Sequence, residues 1–207
     1  MLPSLDTHQL RVAAVAKTIC DSFKAPVNVK NVILTCLFHD MGNIIKSNFD
    51  HFPDFFASAE ERAYWETVKL EYIQKYGPSE HHASLAIAEE LGLPEEVCHY
   101  IAGIGFSNLK TTSAGVSFEE KICEYADLRV GPYGVLSLID RIADIHRRYA
   151  GRNRSVVPED EGQFEELRQA ALDMQGQIFA ETSIRPEDIT DASITPLIEE
   201  LRNYQVA

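Results

Sequence analysis

Apolar residues recur along this chain at the three- and four-residue steps of a helix, and the recurrence is broken by proline, glycine and asparagine. Leu5, Val12, Val15, Ala16 and Ile19 predict a first helix over residues 5–24. Ala25-Pro26-Val27-Asn28 ends it, and Asn28 then caps a second helix over 29–46. Pro53 prevents a smooth continuation into the aromatic segment at 48–56, which reads either as a lid over a site or as a plug in the core. Further helices are predicted over 57–76, closed by Gly77-Pro78, from 79 or 80 to 91, closed by Gly92, and from 94 to 103. Residues 110–115 read as a polar loop. Ser117-x-x-Glu120 is a capping box that opens a sixth helix at 118. Helices over 135–151, 159–181 and 196–204 complete an all-α chain, with no internal repeat, P-loop or dinucleotide fingerprint.

Composition narrows the function. At 207 residues with 45% hydrophobic content, the chain has enough apolar surface for a sizeable core. Its net charge of -13 argues against broad binding to nucleic acid or anionic membrane, so an anionic ligand must be attracted locally, by a metal or a few basic groups. Cys20, Cys36, Cys98 and Cys123 are widely spaced and read as reduced core residues. The first residues carry neither a basic nor an apolar leader pattern, and no run approaches eighteen apolar residues. The expectation is a soluble cytoplasmic protein.

Within the second predicted helix, His39 and Asp40 stand side by side in the apolar run from Leu34 to Lys46. Helical neighbours diverge by about 100°, so both reach one point only off the helix flank, where a divalent ion can sit. The alternative is a buried histidine hydrogen-bonded to its neighbour. His39, Asn43 and Lys46 follow at i, i+4 and i+7 and are expected to share a face. His8 falls on the apolar stripe of the first helix, and Asp127 comes where the apolar face of the sixth ends. Two neutral imidazoles and two carboxylates match the charge of one divalent ion and leave positions open for water and a substrate oxygen. His81 lines up with Leu85 and Ala88 and is expected to face inward in preference to His82, whereas His99 reads as structural. Arg141, Arg147, Arg148, Arg152 and Arg154 form a basic stripe that also fits a solvated, ion-paired face.

The ordered set of His8 before a Val-x-x-Val-Ala run, His39-Asp40 before Met41-Gly42, His81 ahead of an alanine-rich segment, and Tyr125-Ala126-Asp127 resembles the HD-domain metal-dependent phosphohydrolase superfamily, over roughly residues 5–150. The stretch from Glu120 to Leu128 is similar to the end of bacterial HD-type dinucleoside polyphosphate hydrolases. The resemblance implies a helical HD domain over 1–155 and a C-terminal helical extension over 156–207 packed on it. It implies His8, His39, Asp40 and Asp127 as metal ligands, with His81 or His82 in the place of an extra histidine that touches phosphate or a second metal. Asn43 stands where many members carry lysine, with Lys46 one turn on as its substitute. Ala102-Gly103-Ile104-Gly105-Phe106 stands where two-metal members carry another histidine, which favours one metal.

The implied cofactor is one divalent ion, among Mn, Fe, Co, Ni, Zn and Mg, and the implied partner a small phosphorylated substrate, a nucleotide foremost; a homodimer is left open. Asp40 is given the nucleophilic water, and Lys46, Arg129 and Arg141 the phosphate, with Arg129 first because it lies two residues from Asp127. The alternatives are a non-hydrolytic nucleotide-binding regulatory module and, on the same scaffold, an iron oxygenase with a second metal.

Overall fold

The computed structural model describes residues 2–50, 53–149, 158 and 160–205, and among them ten α-helices. They are α1 Pro3–Asp21, α2 Val29–Phe38, α3 Ala59–Tyr76, α4 Glu80–Glu90, α5 Glu95–Gly103, α6 Leu109–Ala114, α7 Phe118–Asp127, α8 Leu138–Tyr149, α9 Glu161–Ala180 and α10 Asp191–Leu201. The chain is all-α, as the periodicity predicts. Side-chain oxygens satisfy the first free amides of six of these ten helices: Asn28 accepts from Asn31, Ser58 from Glu61, Ser79 from His82, Ser117 from Glu120, Asp160 from Gln163, and Thr190 from Ser193. No described helix is long and apolar enough to cross a membrane.

α1 is the axis. Its Val12, Ala13, Ala14, Val15, Ala16 and Ile19 are all fully buried, and it packs on α2, α7 and α10. α9 covers α6 and α7 from the other side. The main core joins these helices to Ile122, Cys123, Met174, Ile178, Ile194 and Leu201, so the two C-terminal helices share one apolar interior with α1 and α7. A smaller cluster of Leu2, Ile44, Ile45, Phe49 and Ala83, edged by Trp65, Val68 and Tyr72, lies under α3. Phe49 of the aromatic segment belongs to this cluster and packs edge-on against Phe56. All four cysteines are free, and Cys20, Cys36 and Cys123 are buried.

Four elements differ from the sequence reading. The second helix ends at Phe38, and residues 39–46 continue as successive three-residue turns (Met41 to Phe38, Asn43 to Asp40, Ile45 to Gly42). The expected shared helical face of His39, Asn43 and Lys46 therefore does not form. The cause is a close approach: a Cβ on Gly42 would lie 2.2 Å from the Glu80 carbonyl and 2.7 Å from Ala83 Cβ, so the chain leaves the helical path to dock on α4. Residues 109–114 are a helix rather than a loop, because Leu109 is fully buried against the main core. α8 starts at Leu138. The last helix starts at Asp191 through a reciprocal pair between Thr190 and Ser193, and Pro196 lies inside it. The expected 155/156 boundary, Arg152 and Arg154 lie outside the described residues.

Candidate metal centre

Three helix ends meet at one place. α1 presents His8 in its second turn, α2 terminates at Phe38 with His39 as its C-cap, and α7 terminates on Asp127. The C-termini of α2 and α7 carry partial negative charge, which favours a cation where they converge. His8 Nε2 lies 3.0 Å from Asp127 Oδ1 and 3.5 Å from Asp40 Oδ2. His39 Nε2 lies 3.5 Å from Asp127 Oδ1 and 3.6 Å from Asp40 Oδ1. The two imidazole rings are tilted, with centroids 5.6 Å apart. Ligand atoms of His8, His39 and Asp127 fall within 4.8 Å of one another, and the distances to both imidazoles bring Asp40 to the same place.

His39 fits a cation by its hydrogen bonding. Its Nδ1 is 2.9 Å from the Cys36 carbonyl, which can only accept, so Nδ1 carries a proton. Nε2 is then free to face the cluster, and it is buried without a hydrogen-bond partner. A lone pair aimed between two carboxylates is repulsive unless a positive charge lies between them. Burial opposes a charge on this imidazole, yet the Asp40 and Asp127 carboxylates overcome it and raise His39 to about 10. Asp127 is also opposed by burial, and both imidazoles hold it well below the usual carboxylate range. The donor set and this demand for positive charge both suit a divalent ion.

The supports around the ligands are buried polar groups. The Gln9 amide, next to His8, is oriented with its NH2 on the Leu37 carbonyl and its oxygen on the Met41 amide, 3.2 Å each, and so clamps the turn that carries Asp40. Ser84 Oγ accepts the Gly42 amide at 2.9 Å. Glu124, one turn before Asp127, accepts the Gly105 amide at 2.8 Å, and burial pushes its carboxyl up to about 8. The sequence reading missed Gln9 and Glu124. Each sits on an apolar helix directly beside a ligand or one turn from it, which is the signal that could have found them.

A family model described as HD domain matches residues 5–127, from three residues before His8 to Asp127 itself. The chain belongs to the HD domain family. No curated protein and no solved structure matches it. HD domains bind divalent metals, and His8, His39, Asp40 and Asp127, which meet here, are among the residues in which the sequence resembles that family.

The other groups assigned to this HD domain from sequence are placed unevenly. Lys46 stands at the rim, 3.5 Å from Glu80, and although burial opposes it, Asp40 and Glu80 raise its ammonium above the ordinary value. The expected inward placement of His81 is not found. Both His81 and His82 are exposed, and His81 Nε2 lies 3.1 Å from the Ala102 carbonyl on α5. The buried face of α4 is Ala83, Ser84, Ile87 and Ala88, which is centred on the direction of Glu80 and leaves His81 on its flank. Arg129 is corrected outright. It is buried, and it donates to the Tyr125 hydroxyl and to the carbonyls of Leu136, Pro186 and Ile189, so its guanidinium is spent on the C-terminal segment. His99 pairs with Glu120 at 3.0 Å across α5 and α7, a structural contact.

Proposed function

We propose that this HD domain is a metal-dependent phosphohydrolase acting on a small phosphate ester or nucleotide. The observation that carries the reading is the buried, unpartnered Nε2 of His39, aimed at two carboxylates and flanked by His8. His8, His39, Asp40 and Asp127 would hold a divalent cation, which when bound would supply Lewis-acid polarisation of a phosphoryl oxygen and acidify a water. Asp40, whose two oxygens face different imidazoles, holds the attacking water and accepts its proton. Lys46, which pairs with Glu80 at 3.5 Å, neutralises the phosphoryl oxygens from the rim. His81 reaches the phosphate only by giving up the Ala102 carbonyl. The HD domain family generally consists of phosphohydrolases, which supports hydrolysis over binding alone.

The test is elemental analysis of the purified chain together with a screen of mononucleotides, dinucleotides and generic phosphoesters in the presence of Mn, Co, Ni, Zn or Mg. Wild type is expected to turn over at least one class, and Asp40→Ala to lose both metal and turnover. Turnover that survives in Asp40→Ala sinks the assignment. Asn43, in the place of a family lysine, favours one second reading, a regulatory module. Tight nucleotide binding without turnover across those metals would establish that reading instead.

A further inference from the structure

The family match stops at Asp127, and the charged helix that follows lies beyond it. The connector between α7 and α8 doubles back at once. The Leu136 amide donates to the Arg129 carbonyl at 2.7 Å, the Gly131 amide to Gly134 at 2.8 Å, and Val130 pairs with Val135 in an isolated antiparallel bridge. This reversal brings the start of α8 back to the end of α7, so Arg141, in the first turn of α8, stands beside the helix end that carries Asp127. Burial opposes charge on the Arg141 guanidinium, and both the Asp127 carboxylate and that of Asp144, its ion-pair partner at 3.1 Å, favour it.

The arginines of α8 are not the solvated stripe that ion pairing by itself would make. Arg141 and Arg148 keep only 12% and 24% of their side chains exposed, against 78% for Arg147. Spacing of three and four residues puts Asp144 between them on one face. Asp144 receives Arg141 at 3.1 Å, Arg147 at 2.8 Å and Arg148 at 2.7 Å, so one carboxylate serves three guanidinium groups and two positive charges are left over. The Nε atoms of Arg141 and Arg148 are both buried without a hydrogen-bond partner among the described residues. Charged groups with unused donors are costly to bury, and a planar guanidinium fork matches the oxygens of a phosphate.

We infer that Arg141 and Arg148, oriented by Asp144, form an anion subsite near the candidate metal centre that holds a phosphate group of the substrate. Its assignment to a substrate rests on the hydrolase reading above; the subsite itself does not. Two buried guanidinium groups offset by one shared carboxylate leave a net positive charge for an anion, and their planar forks match the oxygens of a phosphate.

The experiment is calorimetric titration of inorganic phosphate into the full chain, with manganese and after chelation, with metal content measured in parallel. Arg141→Gln and Arg148→Gln are each expected to weaken phosphate binding about tenfold or more, with metal stoichiometry unchanged. Arg147→Gln, on the solvated guanidinium, is expected to change it less than about twofold. If Arg141→Gln fails to fold by circular dichroism, Arg148→Lys keeps the charge, loses the fork and is expected to weaken binding severalfold. Equal phosphate affinity in wild type and the folded variants overturns the subsite, and so does a wild type that binds no phosphate at millimolar concentration. Arginine-dependent phosphate binding by a chain that takes up no metal supports the subsite and sinks the hydrolase reading alone.

Discussion

α1 fully buries six of its residues in one continuous run of contacts with α2 and α7, whereas α3, of nearly the same length, buries none of its own and leaves Tyr64 and Leu70 60% and 66% exposed. The contrast divides the molecule around the metal centre. His8, His39 and Asp127 hang from the helices of the main core, where a shift of one side chain is resisted on every side. Lys46 and the rim rest on the smaller cluster beneath α3. Side chains that are to hold a cation must be fixed to a fraction of an ångström, and His8, His39 and Asp127 stand on the more tightly packed half.

The largest effect that can break this comparison is removal of a ligand from the rigid half. Asp127→Asn is expected to lower metal affinity by more than about a hundredfold, read by elemental analysis after dialysis, and full metal retention would show that the core side does not hold the ion. Arg129→Ala comes next. It strips a buried charge from the Tyr125 hydroxyl and three carbonyls and is expected to cost about 3 kcal/mol in denaturant unfolding. A change in phosphate affinity with stability intact would instead restore Arg129 to the substrate. Gly42→Ala forces a methyl into the backbone of α4 and is expected to cost about 1–3 kcal/mol and to loosen the metal, since Asp40 rides on the same turn.

Proton release sharpens the picture further. In the metal-free chain the Asp40 and Asp127 carboxylates outweigh burial and hold the His39 proton up to about 10. A cation must displace that proton, so metal affinity should rise by up to about tenfold per pH unit until about pH 10. Calorimetry in two buffers of different ionisation enthalpy would count the proton, and an affinity flat between pH 7 and 9 would contradict it. The sign for stability is the reverse. A raised pKa stabilises the metal-free fold fully below the ordinary imidazole value of 6.5, and the contribution fades as pH climbs toward 10. The smallest effect belongs to the open half: Leu70→Ala should stay within about 0.5 kcal/mol of wild type, and a larger loss would mean that α3 is covered by a partner in solution.

The four residues that converge were legible because each is a titratable group on or beside an apolar helical stripe, a pattern that survives without any knowledge of the fold. Arg129 was not. Two residues from Asp127 along the chain reads as nearness, but α7 ends at Asp127 and the backbone turns through Leu128, which sends the guanidinium toward Pro186 and Ile189. The end of α2 was hidden for a related reason. Ile44 and Ile45 prolong the apolar pattern, and nothing local reveals that they serve a different cluster or that Gly42 touches a helix forty residues away. Pro196 imitates a helix start, although the reciprocal pair at Thr190 and Ser193 had already opened that helix.

The knot at Arg129 has an outcome for anyone who would shorten this protein. The carbonyls of Pro186 and Ile189 hold its guanidinium, and the Lys24 and Ser183 amides lace residues 22–24 to 181–183. A fragment cut where the family match ends would keep every ligand. It would also lose Arg129 together with the segment that guanidinium holds and lay open the flank of α1, which packs on α10, and such a piece should precipitate rather than take up metal.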